Sequence, residues 1–119
     1  MAKNIVGEKS YRFAIRIVNL YKWLCDEKKE YVLSKQLLRS GTAIGALLKE
    51  AEHGQSKSDF LNKVNIALKE ANEAAYWLML LKDTRFITEK EFESIILDAE
   101  ELIKMLVSIV KTTKTKLGK

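Results

Sequence analysis

Proline is missing from the chain altogether, and glycine occurs only five times in 119 residues, so little in it breaks a helix. Cysteine and histidine occur once each, as Cys25 and His53. A lone cysteine excludes an internal disulfide and fits a reducing compartment, so the cytoplasm is the expected location. Hydrolytic chemistry needs a base, a nucleophile or a metal set within reach of one another. One histidine and one cysteine, with no glycine-rich phosphate loop, supply none of these, and neither catalysis nor a cofactor or metal is expected. Long apolar runs are absent too. Nothing reaches the ~18 continuous apolar residues of a membrane span, and the first residues hold no signal-peptide core, so no membrane association is expected.

What the chain does have is 47% hydrophobic residues interleaved with 31% charged ones, the mixture that amphipathic helices packed in water require. The length suits one domain over 1–119. Apolar residues recur at three and four spacing in four segments, which predicts helices over about 8–29, 32–53, 58–82 and 88–112. Short connections make consecutive helices antiparallel, so the expected fold is an all-α, up-down-up-down four-helix bundle.

In the first segment Phe13, Ala14, Ile17, Val18, Tyr21, Leu24 and Cys25 form a core stripe. Arg12, Arg16 and Trp23 share another sector, joining two guanidiniums to an indole expected to be exposed. Arginine beside an aromatic can grip phosphates and stack on bases, and the same composition serves protein interfaces. The charged run Asp26–Glu30 reads as a solvated turn.

The second segment has large aliphatics at its ends and small residues at its centre. At about 100° per residue, Leu33, Leu37, Gly41, Ile44, Leu48 and Ala51 line one face, with Arg39, Ala43, Ala46 and Glu50 opposite. Two interior glycines cost roughly 1 kcal/mol each against alanine, so close packing must compensate, and the alanines of the third helix are the expected partners. His53 beside Gly54 reads as a solvent-facing residue at a helix end.

The third segment has a core stripe from Phe60 to Met79 and a second stripe of Ile66, Trp77 and Leu80 that points elsewhere. Large apolar side chains away from the core imply either a wide buried sector or a subunit interface, with Lys69 and Glu73 as a surface or interface ion pair. Thr88-Glu89-Lys90-Glu91 has the form of a capping box.

The net charge of +5 is uneven. Residues 111–119 hold four lysines and no acid, so four of the five net charges sit in a basic tail. That tail is either a frayed, solvated terminus or a contact for RNA or another polyanion. The bundle topology gathers Lys3, Lys9, Arg12, Lys49 and Lys57 at one end with Lys111, Lys114, Lys116 and Lys119.

Leu38-Arg39-Ser40-Gly41-Thr42-Ala43-Ile44-Gly45-Ala46, Glu50-Ala51, Phe60, Ile66-Ala67-Leu68-Lys69-Glu70-Ala71, Glu73 and Tyr76-Trp77-Leu78 together resemble the four-helix-bundle family of proteins encoded in intervening sequences of 23S ribosomal RNA genes. That family is similar in fold to the accessory variability-determinant proteins of diversity-generating retroelements, which form ring-like homopentamers and associate with RNA and a reverse transcriptase. The resemblance implies a homo-oligomeric ring, a pentamer by that likeness, with RNA or a reverse transcriptase as partner. Ala43 and Leu47 stand where the family pattern carries serine and asparagine, so any polar contact made there is missing from this chain. The expected function is a non-catalytic oligomeric bundle that binds RNA or a nucleic-acid enzyme through a basic surface. The alternative is a protein scaffold with no nucleic-acid binding.

Overall fold

The computed structural model describes residues 4–118, and Lys3 and Lys119 lie outside them. It contains four helices: α1 (Ile5–Lys28), α2 (Leu33–Glu52), α3 (Lys57–Asp83) and α4 (Glu89–Lys116). Each packs against two others, α1 and α3 both lying against α2 and α4. The diagonal pairs do not meet, so the cross-section is a square. The molecule extends 48 × 25 × 21 Å.

The ends follow from capping chemistry. Asn4 accepts the Gly7 N–H at 3.0 Å and starts α1 three residues before the apolar pattern becomes evident. Its amide also donates to the Glu52 carboxylate, fastening the start of α1 to the end of α2. Ser56 caps α3, and Thr88 and Glu91 form the expected capping box at α4. Lys29 and Arg85 carry positive φ, 52° and 68°, at the ends of α1 and α3.

The core runs the length of the square through Phe13, Ile17 and Leu24 of α1, Leu37 and Ile44 of α2, Val64, Leu78 and Leu81 of α3, and Leu102 and Leu106 of α4. Ala67, Ala71 and Ala74 are fully buried, as the alanine stripe of α3 requires. The glycines of α2, however, do not face them. A Cβ on Gly41 would stand 2.8 Å from Ile17 Cγ1, and one on Gly45 would stand 3.3 Å from Ser10 Oγ. Their close neighbour is α1, Gly41 admitting the β-branched Ile17 and Gly45 the smaller Ser10. Met79, expected in the core, is exposed.

The basic tail also differs from expectation. Helix α4 continues to Lys116, because Val110 and Thr113 stay buried and Leu117 packs against the core, prolonging its apolar stripe. The lysine- and threonine-rich composition hides that spacing.

Candidate functional site

The residues predicted to touch nucleic acid separate into two groups. Along the α1–α4 seam, Arg16 donates to Asp98 at 2.7 Å and to the Ser94 hydroxyl at 2.9 Å, and Lys9 pairs with Glu101 at 3.1 Å. Trp23 is half-buried against the core with the Lys28 ammonium 5.4 Å from its ring centroid, a cation–π contact. The expected stripe of free guanidiniums beside an exposed indole is therefore absent. The charges face acids on the neighbouring helix, and the indole covers apolar surface. Of that group, among the described residues, only Arg12 is exposed with no ion-pair partner.

The second group stands clear. Lys111, Lys114 and Lys116 are exposed on a regular helix and make no ion pair among the described residues. Lys104, two turns back from Lys111 on α4, is likewise exposed, and no acid follows Glu101 in the sequence. Ser108 and Thr112 lie between these lysines, adding hydroxyl donors to a cationic surface, whereas the Thr115 hydroxyl donates to the Lys111 carbonyl at 3.0 Å.

The predicted interface residues of α2 and α3 lie along the outer side of those helices, with Ala46 also lining the groove between α1 and α2. Arg39 reaches across to Glu70 at 4.0 Å and Glu73 at 3.6 Å, and Glu50 pairs with Lys63 at 2.8 Å farther along. Ala43 and Ala46 lie between those two ties on α2, Ala43 half-buried and Ala46 exposed. Lys69 stands 3.9 Å from Glu73, the expected i, i+4 pair. Ile66, Trp77 and Leu80 are half-buried, and Tyr76 stacks edge-on against Trp77 with centroids 5.0 Å apart.

The central residue of this face is Glu70, which periodicity places among the alanines of the core stripe. Its side chain is 10% exposed, yet among the described residues it makes no hydrogen bond, and Oε1 is buried without a partner for one. The Trp77 indole N–H, two turns on, is buried and unpaired as well. Buried polar groups are nearly always satisfied, and leaving one without a partner costs on the order of 1–3 kcal/mol, more if charged. Arg39 is too exposed and too distant to offset that cost. The sequence signal was there in principle: a carboxylate at i+3 from Ala67 and i−4 from Ala74 cannot face open solvent.

A further site was masked by composition. The Glu30 carboxylate accepts the backbone N–H groups of Val32, Leu33 and Ser34 at 2.9, 3.0 and 2.7 Å. It thereby satisfies the first donors of α2, a helix with no other side-chain cap. Burial pushes the carboxyl upward, but the backbone donors of Ser34, Val32 and Leu33 outweigh it and hold Glu30 below its ordinary range. The run Asp26–Glu30 is thus not merely a solvated turn.

The two residues best suited to chemistry are apart. His53 is exposed at the end of α2, and Cys25 is half-buried near the end of α1, at the opposite end of the bundle. Among the described residues no cluster of histidine, cysteine and carboxylate groups could hold a metal, and no helix is long and apolar enough to cross a membrane. Between α1 and α2 runs a groove of about 660 Å³ along Gly7, Tyr11, Ala14, Gly45 and Ala46.

Comparison with curated proteins found no match. Among solved structures, a protein with unknown function from the S23 ribosomal protein family of Bacteroides thetaiotaomicron is 60% identical. The similarity covers 89% of this chain and 98% of that one, with a TM-score of 0.88. The model of the family described as 23S rRNA-intervening sequence protein matches residues 2–108. The chain therefore belongs to the 23S rRNA-intervening sequence protein family.

Proposed function

We propose that this protein is a non-catalytic, self-assembling helical scaffold whose α2–α3 face is completed by another copy of the chain. The observation that carries the reading is Glu70, a carboxylate sunk in a groove of half-buried apolar side chains, its Oε1 without a hydrogen-bond partner among the described residues and its Oε2 only loosely paired with Arg39 at 4.0 Å. Such a group is stable where a docked surface brings the missing donor. Ile66, Trp77 and Leu80 around it are the large apolar side chains that interfaces collect. The separation of His53 from Cys25 supports a structural role over a chemical one.

A second reading, that the scaffold also holds RNA, is favoured by α4. Its exposed lysines face no acid and sit among hydroxyl side chains, the composition of a phosphate-contacting helix. The contact surface moves accordingly from the Arg12, Arg16 and Trp23 sector to the end of α4.

Light scattering coupled to size exclusion, at low and high salt and with and without a mixed RNA pool, tests both readings. The scaffold requires a discrete oligomer. RNA binding requires an RNA-dependent shift that fades with salt, because counterion release drives it. A monomer under all conditions overturns the first reading, and an oligomer indifferent to RNA at low salt overturns the second.

A further inference from the structure

The exposed side of α4 carries cations with nothing planar beside them. Lys104, Ser108 and Lys111 follow one another at spacings of four and three, so they form a row along the outer side of the helix, and Lys114 continues it by one turn. At 1.5 Å per residue the row from Lys104 to Lys114 is about 15 Å long. Glu100, exposed one turn before Lys104, closes it upstream. None of the three lysines makes an ion pair among the described residues.

Helix α4 contains no arginine, and its one aromatic residue, Phe92, lies in the first turn with the Lys82 ammonium 4.5 Å from its ring centroid. The exposed aromatic residues stand elsewhere: Tyr11 on α1, Tyr31 in the α1–α2 connection and Tyr76 on α3. These absences decide which form of RNA the row suits. A single strand gains about 1–3 kcal/mol for each base stacked on an aromatic group, and guanidinium planes serve the same end. Along the row nothing offers that gain, and lysine lacks the planar fork of arginine. What remains is attraction to phosphate, which is steeper for paired strands, with a salt slope of about −0.9 per contact on a double helix against about −0.7 on a single strand.

We propose that the row from Lys104 to Lys114 binds the phosphate backbone of base-paired RNA, without regard to sequence, in preference to single-stranded RNA. This contact rests on the RNA reading given above and narrows its ligand. The row is long enough to reach phosphates of both strands across a groove, which pairing holds at a fixed separation. For three contacts, with equal affinity at about 1 M salt, the difference in slope amounts to a preference of about 6-fold at about 50 mM salt. One stacked base would be enough to cancel it.

Fluorescence polarisation of the full chain over a range of salt, with a labelled RNA duplex of about 16 base pairs and with oligouridine of the same length, tests the preference. The duplex is expected to bind about 6-fold more tightly at about 50 mM salt. Lys104→Ala, Lys111→Ala and Lys114→Ala should each flatten the duplex salt slope by about 0.9, and Glu100→Lys, which extends the row by one turn, should steepen it by about as much. Lys22→Ala and Lys35→Ala remove the same charge from exposed positions near the opposite end of the bundle and should leave the slope unchanged. All these positions are exposed, and circular dichroism verifies that each variant keeps its helices. Oligouridine bound as tightly as the duplex overturns the preference for paired strands while leaving RNA binding intact. Equal flattening by the Lys22 and Lys35 variants overturns the row as the contact. A chain that binds neither RNA at low salt overturns the RNA reading itself.

Discussion

Replacing Gly41 with alanine should destabilise the bundle even though alanine is the better helix former. Propensity alone favours the change by about 1 kcal/mol. Against it, the new methyl would stand 2.8 and 2.9 Å from the two γ carbons of Ile17 and 3.2 Å from its Cβ. Ile17 is fully buried and its χ1 is stiff, so it cannot swing aside. Overpacking of this kind costs about 1–3 kcal/mol, and two contacts to one immobile residue place it at the upper end. The net loss is about 2 kcal/mol, or about 8 °C in a domain of this size. Gly45→Ala is the control. It meets the Ser10 hydroxyl at 3.3 Å, a single atom already donating to the Gly7 carbonyl at 2.8 Å, so the change should be neutral or stabilising by up to about 1 kcal/mol. Thermal and urea unfolding at one fixed protein concentration, which holds any assembly contribution constant, ranks the two. Ile17→Ala in a double-mutant cycle then identifies the cause. The methyl of Gly41→Ala would fill part of the cavity, so the pair should be less destabilised than the sum by about 1–2 kcal/mol. A Gly41→Ala protein as stable as Gly45→Ala, or strict additivity with Ile17→Ala, refutes the close approach of α1 and α2.

Two further outcomes test the helix ends. Glu30 has a lowered folded pKa, so its contribution is complete above the unfolded carboxylate value of about 4.3 and is lost as pH falls through the folded value. Glu30→Gln should lose about 1 kcal/mol at neutral pH and show a flatter decline below pH 4.3, measured by urea unfolding across pH; superimposed curves would count against the cap. Lys29 and Arg85 occupy left-handed conformations that cost a side-chain-bearing residue about 1–2 kcal/mol. Glycine at either position should raise the melting temperature by about 3 °C, part of the relief being offset in the unfolded chain; no rise at either site would refute the strain.

The helices themselves were legible because their apolar spacing is long and uninterrupted, and the capping box at Thr88 because its two members are local in sequence. What escaped was information carried between helices. The partner of Gly41 depends on the register of α1 against α2, and nothing local distinguishes Ile17 from an alanine of α3. Trp23 sits on a wheel sector that looks polar because Arg16 and Lys9 share it, yet those cations are turned toward Asp98 and Glu101 on α4, leaving the indole to pack inward. Of the candidate site, the α2–α3 face could be read in outline from Ile66, Trp77 and Leu80. Its centre, Glu70, was legible only through its spacing from Ala67 and Ala74, a signal masked because a carboxylate is ordinarily assigned to solvent.

The extension of α4 through Lys116 changes the thermodynamics of any contact made there. A flexible tail gives up its freedom when it meets a partner, at about 1–2 kcal/mol per backbone residue. For the six residues from Lys111 to Lys116 that amounts to roughly 6–12 kcal/mol. In this protein the ordering is completed during folding, drawn from the burial of Val110 and Thr113. The lysines are consequently a preorganised array at fixed intervals along the helix axis, and on engaging a polyanion the protein orders side chains but no further backbone there.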